Sequence, residues 1–287
     1  MKPEVKDSIG LLLGTKINKC VPVSGGDISR AFVLYTTADR VFCKINSSAA
    51  ARSMFEAEAD GLDAISKTKT LKTPNVYAVG ELEEGACLLM EYVPSKSPDP
   101  EDLEVFGAQL AAMHQTASPY FGWENSNFIG SLPQSNQKHD NWVSFYINER
   151  LIPQFQLAIH QKLLAKNEIP GSIKLQTVIS SYCSDVNPSL LHGDLWGGNY
   201  LIAENGAPYL IDPAIYFGHS EIDLSMSRLF GGFGSAFYKA YYEINPCQPG
   251  ESNRMAVYQL YYLLVHLNLF GRSYYQSVKN IVNTHFN

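Results

Sequence analysis

A change of period at residues 94–100, PSKSPDP, restricts the fold more than any other feature of the chain. Three prolines in seven residues break a helix and cannot sit inside a sheet. Before this stretch the apolar residues come in short, turn-bounded runs of strand length. After it they recur with helical spacing over long segments. A chain divided in this way reads as a sheet-rich part followed by a helix-rich part, with a connector between them.

Residues 4–13 have the pattern of a short helix. Strand-length runs follow at 16–23 (KINKCVPV), 30–35 (RAFVLY) and 40–45 (RVFCKI), separated by SGGD and TTAD, both good turn sequences. They predict an antiparallel meander. Alanine-rich residues 49–66 predict a helix, and 75–80 (NVYAVG) and 86–92 (ACLLMEY) predict two more strands joined by ELEEG. Beyond the connector, helical patterns cover 101–116, 139–164, 171–184, 221–230, 233–243, 252–268 and 272–284. A strand-rich island at 190–212 interrupts them. The expected class is α+β, with an antiparallel sheet and one helix in residues 1–93 and a mostly helical part in 94–287.

Composition excludes several function classes. With 287 residues, 45% hydrophobic and 17% charged, the chain can bury a large core. A net charge of −6 and the lack of a Lys/Arg stripe give nucleic acid or an anionic membrane no electrostatic purchase. No apolar run has bilayer-spanning length, and the N-terminus does not read as a signal peptide. Cys20, Cys43, Cys87, Cys183 and Cys247 are scattered and odd in number. That pattern implies neither a disulfide framework nor a zinc site, and it fits a reducing cytoplasm.

The densest chemistry lies at 190–201, LLHGDLWGGNYL. Asp194 and Asn199 have the D-x-x-x-x-N spacing of a phosphoryl-transfer catalytic loop. There the acid accepts the substrate hydroxyl proton and the amide coordinates Mg²⁺ on the phosphates. Taken alone, the stretch would also suit a solvated loop. Thirteen residues past Asn199, Asp212 ends an apolar run in YLIDPA and supplies a second hard oxygen ligand for the same metal. In isolation Lys44, within VFCKIN, would be an ordinary solvated strand lysine. A helix carrying Glu56 and Glu58 follows it, however, and that order suggests a strand lysine fixed on nucleotide phosphates by a helix glutamate. Glu58 is the better partner, because it lies four residues before Leu62 on the inward face. Gly25 and Gly26 could approach phosphates with their N–H groups or simply form a hairpin turn. Glu91, Tyr92 and Val93 end a strand at the connector, where backbone groups could meet an adenine edge.

This ordered set resembles the small-molecule branch of the protein-kinase-like superfamily, with HGD in place of HRD and DP in place of DFG. Longer segments resemble the fructosamine (ketosamine) kinases: ARSMFEAEADGLDAI, LLHGDLWGGN, YLIDPAIYFGHSEIDLSM, LFGGFGSAFYKAYY and YQLYYLLVHLNLFGRSY. The likeness runs from about residue 8 to 280. It implies a two-lobed kinase-like fold and ATP-dependent phosphorylation of the 3-hydroxyl of a ketosamine, a sugar–amine adduct that then breaks down and releases the amine. ATP and Mg²⁺ are the implied cofactors, with Asp194 as base, Asn199 and Asp212 on the metal, Lys44 on phosphate, and Glu91 and Val93 at the adenine. Related kinases of aminoglycosides, choline or sugars, or a non-catalytic nucleotide-binding protein, are the alternatives. Asp27 stands where family members often have a cysteine and Arg30 where they often have an acid, so thiol-linked redox behaviour in that turn does not carry over from the resemblance.

Trp196 occupies the position where protein kinases carry a phosphate-directed lysine, and its indole offers a flat face for a sugar or a cationic amine. Glu221 could balance that cation. His266 and Asn268 could reach sugar hydroxyls, and Trp142 and Phe145 could cover the pocket. Asp223 is expected to brace the catalytic loop through backbone hydrogen bonds. The stripe Tyr258, Tyr261, Tyr262 and Leu264 reads as core.

Overall fold

The structure, a computed structural model, describes residues 1–23, 28–183 and 186–286. The chain forms two compact units. One comprises Met1–Asp102 and Gly198–Pro213, the other Leu103–Gly197 and Ala214–Asn287.

Helix α1 (Pro3–Leu13) opens the first unit. Pro3 suits a first helical turn, where the missing N–H would have no partner in any case, and Gly14 ends the helix in a left-handed conformation. Strands β1 (Lys19–Val23), β2 (Arg30–Tyr35) and β3 (Arg40–Asn46) form the expected antiparallel meander. Helix α2 (Ala51–Lys67) and strands β4 (Val76–Glu81) and β5 (Ala86–Glu91) follow, giving a five-stranded sheet of order β1-β2-β3-β5-β4. Apolar side chains cover both faces of β5. Cys87 and Leu89 join Ile9, Phe32, Leu34, Val41 and Cys43 on one face. Ala86, Leu88 and Met90 meet Phe55 and Leu62 of α2 on the other. A strand covered on both faces reads as an unbroken apolar run, and ACLLM is one.

Register then aims Lys44. It pairs with Leu88, and directly opposed residues point to the same face. Leu88 faces α2, so Lys44 does too. On α2, Phe55, Glu58, Leu62 and Ile65 share one helical stripe, which places the glutamate under that lysine.

Strand β6 (Ser95–Lys96) lies within the proline-rich stretch, and α3 (Pro100–His114) follows it. In the second unit, strands β7 (Asn127–Ile129) and β8 (Leu132–Gln134) form a small hairpin. The helix expected over 139–164 is divided into α4 (Trp142–Phe145), a π-helical turn Tyr146–Leu151 and α5 (Ile152–His160). Pro153 explains part of the break, because it can donate no hydrogen bond to the preceding turn. Helix α6 (Ser172–Tyr182) and strand β9 (Ser189–Leu191) come next.

Strands β10 (Tyr200–Ala203) and β11 (Pro208–Leu210) form a hairpin that belongs to the first unit. There β10 pairs with β6, and Tyr209 bridges to Lys72. Strand β12 (Tyr216–Gly218) returns to pair with β9. Helices α7 (Glu221–Leu229), α8 (Ser235–Ile244), α9 (Glu251–Phe270) and α10 (Tyr275–Phe286) complete the chain. Helix α9 is the centre of the second core. Twelve of its residues are buried, on all sides of the helix, including Tyr258, Tyr261, Tyr262 and Leu264 as expected. Trp142 and Phe145, expected at the pocket, are buried core residues stacked on one another with centroids 5.7 Å apart.

Candidate active site

In the first unit, three charged side chains from distant parts of the sequence meet. Lys44 Nζ lies 2.7 Å from Glu58 Oε1 and also contacts Asp212 Oδ1. Glu56, by contrast, lies at the surface and pairs with Arg52. Burial by itself would lower the Lys44 pKa, but the Asp212 and Glu58 carboxylates outweigh it and hold the ammonium above its ordinary value. Burial raises the Glu58 pKa, Lys44 opposes that shift, and the Asp212 charge adds to it. One lysine thus serves two carboxylates.

The β10–β11 hairpin delivers Asp212. Tyr200 pairs with Leu210, so Asn199 sits opposite Ile211, whose N–H bonds the Asn199 carbonyl at 3.1 Å. Asp212 follows one residue on. Its φ of 56° is left-handed, a conformation that costs a non-glycine residue about 1–2 kcal/mol. Such strain commonly marks functional sites. Asn199 and Asp212 thus come from one hairpin end and supply an amide and a carboxylate. Among the described residues no group of three His, Cys, Asp or Glu could hold a metal unaided. An amide oxygen and a carboxylate are hard oxygen donors of the kind magnesium takes beside phosphates and water.

At the end of β5, the Glu91 carboxylate accepts from Asn75 Nδ2 at 2.8 Å and from the Asn75 N–H. The Tyr92 ring lies under the Arg40 guanidinium, and Val93 is buried. Gly25, Gly26 and Asp27 lie outside the described residues.

In the second unit the HGD segment is fixed through its backbone. Fully buried Asp223 accepts from the N–H groups of His192 (2.7 Å) and Gly193 (2.9 Å), the bracing expected of it. His114 Nε2 lies 3.1 Å from the same carboxylate, and Tyr241 hydrogen-bonds the other ring nitrogen of His114. The Tyr262 hydroxyl donates to the Gly193 carbonyl at 2.8 Å, and Ala214 N–H donates to the His192 carbonyl. His192 Nδ1 accepts from the Asp194 N–H, so this imidazole organises the loop. Sequence reading missed His114, Tyr241 and Tyr262 as loop supports. Each has the signature of an ordinary core residue, and only its partner reveals the role.

The remaining candidates separate. Trp196 is 40% exposed, as a stacking surface requires. His266 is partly buried among aromatic rings. Asn268 is buried, and its Nδ2 donates to the Gln154 backbone and side chain, so its amide is part of the core. Glu221 is buried and bound by Arg254 through two bonds of 2.6 and 2.7 Å. That bidentate pair occupies the carboxylate expected to balance a substrate amine. Neighbouring His219 bonds the Tyr258 hydroxyl at 2.7 Å.

The whole chain, residues 1–287, matches the family model described as fructosamine kinase. A probable ketoamine kinase of Enterococcus faecium is 38% identical over 275 residues, 95% of this chain and 97% of the relative. The chloroplastic protein-ribulosamine 3-kinase of Arabidopsis thaliana is 39% identical, over 94% of this chain and 83% of its own. Among solved structures, a putative fructosamine-3-kinase from Haemophilus somnus superposes with a TM-score of 0.87 at 27% identity, covering 99% of this chain and 97% of the other.

Proposed function

The chain belongs to the fructosamine kinase family, and from that premise we propose that it transfers the γ-phosphoryl group of ATP to the 3-hydroxyl of a ketosamine. The observation that carries this reading is the placement of Lys44 between Glu58 and Asp212. The α+β, kinase-like class holds, and a strand lysine paired to a helix glutamate is how that class fixes a lysine on nucleotide phosphates, with a second acid beside it for the metal.

Asp194 takes the proton from the sugar hydroxyl as its oxygen bonds to the γ-phosphorus and the bond to ADP breaks. Locking the loop backbone through Asp223 and Tyr262 fixes where that carboxylate points, and orientation is a large part of phosphoryl-transfer catalysis. Asn199 and Asp212 would hold magnesium. When bound, the ion neutralises charge on the phosphate oxygens. Lys44 orients the phosphates, with Glu58 setting its direction. Residues 1–93, with the 198–213 hairpin grouped beside them, carry the nucleotide. The strand end Glu91–Val93 meets the adenine. In the remainder of 94–287, Trp196 stacks on the sugar. Among the described residues no helix is long and apolar enough to cross a membrane, and we place the protein in the cytoplasm.

Phosphorus NMR of products from fructosyl-, ribulosyl- and erythrulosyl-lysine, with ATP consumption measured in parallel, tests the reading. A new sugar 3-phosphate resonance is expected. Turnover of aminoglycosides or choline but of no ketosamine would overturn it.

A further inference from the structure

Three side chains of α9, Tyr262, His266 and Phe270, stand four residues apart and form one stripe along the helix. At its inner end Tyr262 is fully buried and holds the carbonyl of Gly193, the residue before Asp194. At its outer end Phe270 is 46% exposed. Between them, His266 Nδ1 lies 2.8 Å from the Tyr262 carbonyl. A carbonyl can only accept, so Nδ1 carries the proton and Nε2 is left as an acceptor. Burial lowers the pKa of this imidazole and favours that neutral form.

Three further rings pack around the imidazole. Phe230 lies at 4.7 Å between centroids, Tyr274 at 5.1 Å and Phe270 at 5.5 Å. Phe230 is 37% exposed and follows α7, the helix whose first turn carries Asp223. Both helices that hold the catalytic loop therefore run outward into this cluster. Single exposed apolar residues are ordinary on a protein surface, whereas a contiguous ring platform marks a binding surface.

We propose that this platform receives the organic substituent on the amine of the ketosamine, the arm beyond the sugar, and so decides which amine adducts are preferred. The inference rests on the ketosamine kinase reading above. From Tyr262 to Phe270 the stripe rises ~12 Å, room for an arm that begins at a sugar beside the catalytic loop. An aliphatic or aromatic arm gains by covering the ring faces, and Nε2 of His266 accepts from the amine N–H. A short carboxylate arm gains nothing from those faces.

Fructosyl adducts of benzylamine, n-butylamine and glycine share one sugar and differ only in the arm. Their kcat/KM values would be compared in the native protein, in Phe270→Ala and Phe230→Ala, and in Phe270→Tyr. The native protein should favour benzylamine over glycine. That ratio should fall about five- to tenfold in each alanine variant, the size of one lost stacking contact, and return in Phe270→Tyr. No native preference, an unchanged ratio in the variants, or a parallel fall for every adduct would overturn the platform while leaving the kinase reading intact. Failure of the native protein to phosphorylate any fructosyl, ribulosyl or erythrulosyl adduct would overturn both, through a different observation.

Discussion

Replacing Gly193 with alanine tests whether backbone locking of the HGD segment sets catalysis. Gly193 has φ of 83°, and a Cβ there would lie 2.1 Å from the Ala214 carbonyl oxygen. The left-handed conformation costs alanine about 1–2 kcal/mol. The overlap cannot be relieved by a rotamer change, because the obstacle is backbone, so the loop must shift by roughly an ångström. A shift of that size breaks at least one of the two Asp223 bonds, and a hydrogen bond to a charged group is worth about 1.5–3 kcal/mol. The total is about 2.5–5 kcal/mol, which lowers Tm by roughly 5–20 °C in a unit of this size. A displacement of about 1 Å at Asp194 should lower kcat on the order of 10²-fold, with KM for ATP much less affected. Scanning calorimetry and steady-state kinetics read both numbers. Near-native kcat and Tm together would refute the claim that the glycine and its backbone contacts hold the catalytic carboxylate in place.

Asp194→Asn should retain nucleotide affinity while turnover falls by at least about 10²-fold, whereas Asp212→Ala should weaken magnesium-dependent ATP binding; titration calorimetry beside kinetics separates them, and equal mild effects would mean the roles are misassigned. Glu221→Gln leaves Arg254 buried without its carboxylate and should cost about 3–5 kcal/mol in urea denaturation. An altered KM for ketosamine with unchanged stability would instead return Glu221 to the substrate site. Burial, with smaller contributions from Arg254 and then His114, depresses the His219 pKa from 6.5 to about 3. The folded state therefore binds fewer protons than the unfolded one, and stability should be lost as pH falls from about 6.5 toward 3. The urea midpoint of His219→Gln should decline less over that window, and parallel curves would contradict this origin.

Local pattern made much of the first unit legible. Turn chemistry and strand-length runs located β1, β2, β3, β4 and β5 to within a few residues. The choice of Glu58 over Glu56 followed from helical spacing alone. The pattern failed where signals were short or context-dependent. Strands β7 and β8 have three residues each, too few for an alternation to show. The π-helical turn carries Arg150, which is completely buried with its guanidinium 3.9 Å from the Tyr216 ring and bonded to the Ser135 carbonyl and Asn136. Nothing in INERL distinguishes that arginine from a solvated one. Glu221 was misjudged for the same reason, since its partner Arg254 lies on another helix 33 residues away.

The sequence by itself determined the α+β composition, the strand that carries Lys44, the helix face that carries Glu58 and the five-residue separation of Asp194 from Asn199, because periodicity, turn propensity and spacing are properties of neighbouring residues. Tertiary structure decided which carboxylates are committed and to what: Asp212 to Lys44, Asp223 to the loop backbone, Glu221 to Arg254. It also decided that Tyr262 holds the HGD segment while His266, one turn on, faces an aromatic surface. A side chain's role depends on the partner that burial brings within hydrogen-bonding distance, and those partners lie tens to more than a hundred residues away in the chain.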